Sequence, residues 1–216
     1  MTPATARQMK SDGIIFDMDG TLWDAVDSYA TIWNRAIADM RLDVPPVRRP
    51  ALEKMMGLPL DRIYDGLIGL PEVSGPFMAL LERLESELMP RLGGRLYPGV
   101  RETLEALRAG GARLFMVSNC GPDGLPNFLE YTGLGELMTD CLSLGENGLD
   151  KTQNILELIG RYNLGTPVYV GDTAGDLAYT HAAGIPFVWA AYGFGRDVNG
   201  AEYIIHSIRD LLRILQ

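Results

Sequence analysis

Residues 13–24 read GIIFDMDGTLWD, and the fold follows from the first five of them. Gly13–Asp17 is a short apolar run closed by a carboxylate, the pattern of a buried strand with a polar C-terminal tip. Similar runs recur at Arg113–Val117 (RLFMV), Val168–Val170 (VYV), Phe187–Trp189 (FVW) and, more weakly, Tyr203–Ile205 (YII). Amphipathic stretches at Val100–Ala109, Thr152–Gly160 and Asp176–Ala183 separate them, with Gly110-Gly111 and Gly184 as stops. Strand–helix alternation of this kind predicts a parallel sheet covered on both faces.

Residues 24–92 interrupt the alternation. They read as helices over Ala25–Met40, Pro50–Met56, Asp61–Leu67 and Pro76–Met89, punctuated by Pro45-Pro46, Pro59, Pro71 and Pro90. The expected organisation is an α/β core made of 11–23 and 93–216, with a helical module of 24–92 inserted after the first strand. The chain of 216 residues is 47% hydrophobic and 22% charged, an ordinary globular composition. A net charge of −9 argues against a nucleic-acid partner. No apolar run has the length of a membrane span, and MTPATARQMKSDG lacks the apolar centre of a secretion signal. Two cysteines, Cys120 and Cys141, suit a reducing compartment, so a cytoplasmic location is expected.

Ligands of an open parallel sheet bind beyond the carboxyl ends of its strands. Three successive tips carry small polar or acidic groups: Asp17-Met18-Asp19-Gly20-Thr21, Ser118-Asn119, and Gly171-Asp172-Thr173-Ala174-Gly175-Asp176. Asp17 and Asp19 lean the same way along an extended chain, and Asp172 and Asp176 share one face of a starting helix. Taken singly, each pair is more simply a turn or helix cap. Their joint placement on three tips is what points to chemistry. Four converging carboxylates raise one another's pKa and need a cation, and oxygen ligands without His or Cys select a hard one, Mg²⁺. The chain has three lysines, Lys10, Lys54 and Lys151. Lys151, between the second and third tips, is suited to act as a compact point charge for phosphate or carboxylate.

These motifs resemble those of the haloacid dehalogenase (HAD) superfamily of aspartate-nucleophile phosphohydrolases, from about Gly13 to the C-terminus. DMDGTLWD (Asp17–Asp24) is similar to the family's first motif, Ser118 to its second, Lys151 to its third and GDTAGD (Gly171–Asp176) to its fourth. Within the superfamily, DGTLxD and GDTxxD…AAGIP are most similar to phosphoglycolate phosphatase-like proteins. Two positions depart from the pattern: Ala25 stands where many relatives have Ser, and Thr152 follows Lys151 where Pro is usual. The resemblance implies a Rossmann-like three-layer α/β core with a parallel sheet, plus an inserted α-helical cap.

It also implies roles. Asp17 would attack phosphorus and form an aspartyl-phosphate, and Asp19 would serve as general acid and then base. Mg²⁺ would be held by the Asp17 carboxylate, the Asp19 main-chain carbonyl and Asp172, with Asp176 supporting that shell or positioning Lys151. Ser118, Asn119 and Lys151, with the Gly20-Thr21 turn, would receive the phosphoryl group of a small phosphorylated metabolite, of phosphoglycolate or sugar-phosphate type. Asp19 favours phosphate esters over carbon–halogen bonds, whose cleavage needs no proton on a leaving alcohol. The alternatives are a phosphomutase of the beta-phosphoglucomutase type and a non-catalytic binding protein. In the cap, Arg48, Arg49, Lys54 and Arg62 are candidate contacts for an anionic substrate tail. Trp23-Asp24 and Leu92–Gly94 are the expected hinges, Met55-Met56-Gly57 is a candidate loop facing the core, and Trp33 and Phe77 are expected in the cap's interior. Tyr192–Gly195 is a candidate pocket wall.

Overall fold

The computed structural model describes residues 9–215. Residues 1–8, which carry most of the stretch read above for a secretion signal, lie outside the described residues. Six strands form one parallel sheet: β1 (Gly13–Phe16), β4 (Arg113–Ser118), β5 (Asp140–Ser143), β6 (Pro167–Gly171), β7 (Phe187–Ala190) and β8 (Tyr203–Ile205). Their order is β5-β4-β1-β6-β7-β8, so β1 lies inside the sheet between β4 and β6. Successive β1 side chains enter opposite faces, as the strand period demands. Ile14 and Phe16 join one apolar cluster, with Leu104 of α5 (Val100–Ala109) and Phe128 of α6 (Gly124–Thr132). Ile15 joins the other, with Ile155 and Leu158 of α8 (Lys151–Tyr162). Helix layers therefore cover both faces, which is why β1 reads as a continuous apolar run rather than an alternating one.

Two core elements escape the sequence pattern. β5 is an edge strand of sequence DCLS, half exposed at its start, and carries no apolar run to betray it. α6 contains Pro126 in its first turn, where a missing N–H costs nothing, and buries Leu125 and Phe128. Two short helices, α7 (Leu144–Asn147) and α10 (Leu211–Ile214), and α9 (Ala174–Ala182) complete the core.

Between β1 and α5 the chain forms α1 (Val26–Asp39), α2 (Arg49–Glu53), α3 (Leu60–Leu67) and α4 (Ser74–Leu92). Pro90 does not stop α4; the helix runs two residues further and ends at Gly93, whose φ is +55°. Trp33 and Phe77 are buried as expected, with ring centroids 5.5 Å apart, and Tyr64 stands 5.2 Å from Phe77. The Pro45-Pro46 stretch leads to Val47, whose backbone N–H and carbonyl are both bonded by the Asn34 amide. The two connections to the core pair with each other: β2 (Trp23–Asp24) runs antiparallel to β3 (Arg95–Leu96). Trp23 then anchors this ladder by an edge-on contact with Phe128, 4.9 Å between centroids.

Phe77→Ala is expected to lower unfolding free energy by about 3–5 kcal/mol, the scale for emptying a buried aromatic site. Chemical denaturation followed by far-UV circular dichroism measures it.

Candidate active site

Chain order runs outward from β1 in both directions, so the tips of β4, β1 and β6 stand side by side at a topological switch point. Phe16 is level with Met116 on one side and Val170 on the other. The residues that follow are thereby delivered to one place: Asp17 and Asp19 from β1, Ser118 and Asn119 from β4, Asp172 from β6. Lys151 opens α8 and Asp176 lies in the first turn of α9. All seven are buried; Lys151 is only 1% exposed.

Lys151 organises the group. Its Nζ donates to Asp17 Oδ1 at 2.6 Å and to Asp176 Oδ1 at 2.5 Å. Asp176 is fixed in turn by a reciprocal cap: its Oδ2 accepts from the Thr173 N–H and hydroxyl, and its own N–H donates to Thr173 Oγ1. Thr152, in place of the usual proline, donates its hydroxyl to the Tyr179 carbonyl and ties α8 to α9. Burial alone would depress the lysine's pKa, but the Asp17 and Asp176 carboxylates outweigh it and hold the ammonium well above its ordinary range. Burial pushes Asp17 up to about 7 despite Lys151, and burial with Asp176 and Asp17 nearby raises Asp172 as well.

Asp172 is clamped from a direction that the sequence reading assigned only to a pocket wall. Its Oδ2 accepts the N–H groups of Phe194 and Gly195, at 2.7 and 3.2 Å. Such close approach requires glycine: a Cβ on Gly195 would lie 1.9 Å from the Asp172 carbonyl oxygen, and one on Gly193 would lie 2.3 Å from the Gly20 carbonyl oxygen. Gly20 itself has φ +83° and presses on the same carboxylate. The YGFG sequence after β7 was the available signal.

Asp19 is turned away from Asp17. Its Oδ1 accepts the Trp23 indole N–H at 3.0 Å, and the Tyr29 hydroxyl donates to Oδ2 at 3.5 Å. Burial, and then the Asp17 charge, raise its carboxyl well above the usual range. Asp17, Asp19, Ser118 and Asn119 line a cavity closed on its far side by α1, α3, α4 and the 56–58 loop. Gly20, Thr21 and Lys151 are buried and are not among its lining residues. Asn119 Nδ2 donates to the Gly57 carbonyl at 2.8 Å, so the 55–57 loop does meet the core. Of the cap cations, Arg48, Lys54 and Arg62 are exposed and none lines the cavity. Arg49 is occupied by Asp24, Asp27 and Glu53.

A cation fits this group. Asp17, Asp172 and Asp176 each offer an oxygen, all within 4.8 Å of one another. Both Asp176 oxygens already have partners, whereas Asp17 Oδ2 and Asp172 Oδ1 are buried with none. Buried carboxylate oxygens without donors are costly unless a cation takes them. The Asp19 carboxylate is outside the group, leaving its main-chain carbonyl as the atom through which it could join.

Comparison with known proteins gives the chain's family and relatives. A family model described as haloacid dehalogenase-like hydrolase matches residues 14–190. The chain is 29% identical over 214 residues to a phosphoglycolate phosphatase of Cupriavidus necator, covering 94% of this chain and 92% of that one. It is 27% identical over 188 residues to the "Probable phosphatase IndB" of Dickeya dadantii, covering 83% and 81%. The crystal structure of a predicted phosphoglycolate phosphatase from Haemophilus somnus superimposes with a TM-score of 0.81 at 25% identity, covering 94% and 97%.

Lys151→Met leaves two buried carboxylates without their counter-charge. A loss of about 3–5 kcal/mol of stability is expected in metal-free buffer, measured by urea unfolding.

Proposed function

The chain belongs to the haloacid dehalogenase-like hydrolases, and from that membership we propose a Mg²⁺-dependent phosphatase that releases phosphate from a small phosphorylated metabolite through a phosphorylated Asp17. The observation that carries the reading is the pair of partnerless buried oxygens, Asp17 Oδ2 and Asp172 Oδ1, beside a buried lysine. When bound there, the cation would neutralise charge on the phosphoryl group and on Asp17. We take residues 24–92 as the cap that shuts water out of the cavity. Two free cysteines, with Cys120 pushed up to about 12 by burial and so held as an inert thiol, suit a cytoplasmic enzyme.

Asp17 is the attacking carboxylate, oriented by the Lys151 ammonium at Oδ1. A bond forms from an Asp17 carboxylate oxygen to phosphorus as the ester P–O bond breaks. Burial, and then the Asp17 charge, favour the protonated form of Asp19. The Trp23 N–H occupies Oδ1 at 3.0 Å and the Tyr29 hydroxyl reaches Oδ2 only at 3.5 Å, so Oδ2 of Asp19 is the oxygen to carry the proton given to the departing alcohol. The same oxygen, now ionised, takes a proton from the water that releases phosphate. Lys151 stays charged throughout and stabilises the phosphoryl oxygens by position rather than by proton transfer. Ser118, 4% exposed at the cavity wall, supplies a hydroxyl donor.

Asp17→Asn is expected to cut phosphate release from p-nitrophenyl phosphate by more than about 10³-fold, the scale of losing a nucleophile, while circular dichroism stays unchanged. EDTA should abolish turnover and Mg²⁺ restore it. Unaltered turnover in either case contradicts the reading.

Asp19→Asn should cost about 10²–10⁴-fold with an alkyl phosphate but far less with p-nitrophenyl phosphate, whose leaving group needs little protonation. Steady-state assays with both esters measure the difference; equal losses would remove Asp19 from the acid role. Phosphorus NMR on a sugar phosphate separates free phosphate from the isomer a phosphomutase would make.

A further inference from the structure

The cavity wall facing Asp17 and Asp19 is built by the helical segment. It is largely apolar, with Trp33, Leu52, Leu60 and Ile63, and the one carboxylate it adds is Glu85 of α4. Among the described lining residues none is arginine, lysine or histidine. Glu85 reaches across to the core: a Cβ built on Gly121, in the loop after Ser118, would lie 3.9 Å from its Oε2. Its charged neighbours, Glu82 and Asp123, are both acidic. Glu85 is half-buried and makes no hydrogen bond or ion pair among the described residues, and burial and those two charges push it up to about 7.

The phosphoryl end of a substrate is provided for by Lys151 and the cation site. The other end would lie among apolar side chains, Tyr29 and Glu85. A carboxylate or second phosphate placed there would meet like charge and a poorly solvating wall, with no counter-charge in reach. An ammonium or hydroxyl would meet an acceptor in want of a donor.

Resting on the phosphatase reading, we propose that Glu85 selects the leaving group, so that the substrate is a phosphate monoester whose alcohol carries no anion and presents an ammonium or hydroxyl donor to the Glu85 carboxylate. The class is that of phosphorylated amino alcohols and polyols. It excludes phosphorylated hydroxy acids, phosphoglycolate among them, although relatives at 29% identity and below bear that name.

The test compares kcat/KM for phosphate release from O-phosphoethanolamine, glycerol 3-phosphate and phosphoglycolate, in the wild type, Glu85→Gln and Glu85→Arg. At least one of the first two should exceed phosphoglycolate by tenfold or more in the wild type. Glu85→Arg should shift that ratio by at least tenfold toward phosphoglycolate. A fall in Glu85→Gln larger for phosphoethanolamine than for glycerol 3-phosphate identifies the donor as an ammonium; equal falls identify a hydroxyl. Phosphoglycolate turned over as well as the others, or a ratio untouched by both substitutions, overturns the proposal. Should Glu85→Arg fail to fold, the near-isosteric Glu85→Gln carries the comparison. Calorimetric binding of the same three esters to Asp17→Asn ranks them without turnover. Failure of the wild type to release phosphate from any ester would therefore refute the phosphatase reading alone, while the binding order still decides the role of Glu85.

Discussion

Three buried carboxylates face one buried ammonium. Asp17, Asp172 and Asp176 against Lys151 leave two negative charges uncompensated on almost fully buried side chains. Isolated buried charge is among the most expensive features a fold can hold, and the usual escape is protonation or a counter-ion. Here the raised pKa of Asp17 and of Asp172 expresses the first escape, and their partnerless oxygens provide for the second. A divalent cation matches the deficit in charge, and hard oxygen donors match it in kind.

The rest of the structure arranges that concentration of charge. Parallel register brings three strand tips level, and glycines let the backbone close on Asp172 from two sides. The Thr173–Asp176 cap and Lys151 hold one another in place through the two oxygens of Asp176. Preorganised charge of this sort costs no reorganisation when the phosphoryl group arrives, which is where phosphoryl transfer gains most. The helical segment closes over the site through the Asn119–Gly57 hydrogen bond and offers an apolar, acidic wall to whatever leaves.

Much of this was legible in the sequence because it depends on local pattern. Asp17, Asp19, Ser118, Asn119, Asp172 and Asp176 stand out as small polar or acidic groups after apolar runs, Lys151 stands out as one of three lysines, and the structure brings them to one end of the sheet. β5 was not legible, because an edge strand needs little apolar surface and DCLS has little. The division of labour within the acidic group was not legible either. Which oxygens of Asp176 are taken, and that Asp19 turns toward Trp23, depend on contacts set by tertiary packing. Arg49, one of the candidate substrate contacts, is consumed by three carboxylates, one of them 25 residues away, and no local pattern reports that. Glu85 is in sequence one more acidic residue of a helix, and only tertiary packing brings it to the cavity wall.

The most direct test is a crystal structure grown with Mg²⁺, repeated with Mn²⁺ so that the ion can be located by its anomalous signal. The account predicts one ion touching Asp17 Oδ2 and Asp172 Oδ1 at the roughly 2.0–2.1 Å typical of octahedral Mg²⁺, with Lys151 still bonded to Asp17 and Asp176. An ion bound elsewhere, or these two oxygens still without a partner at saturating metal, would contradict it.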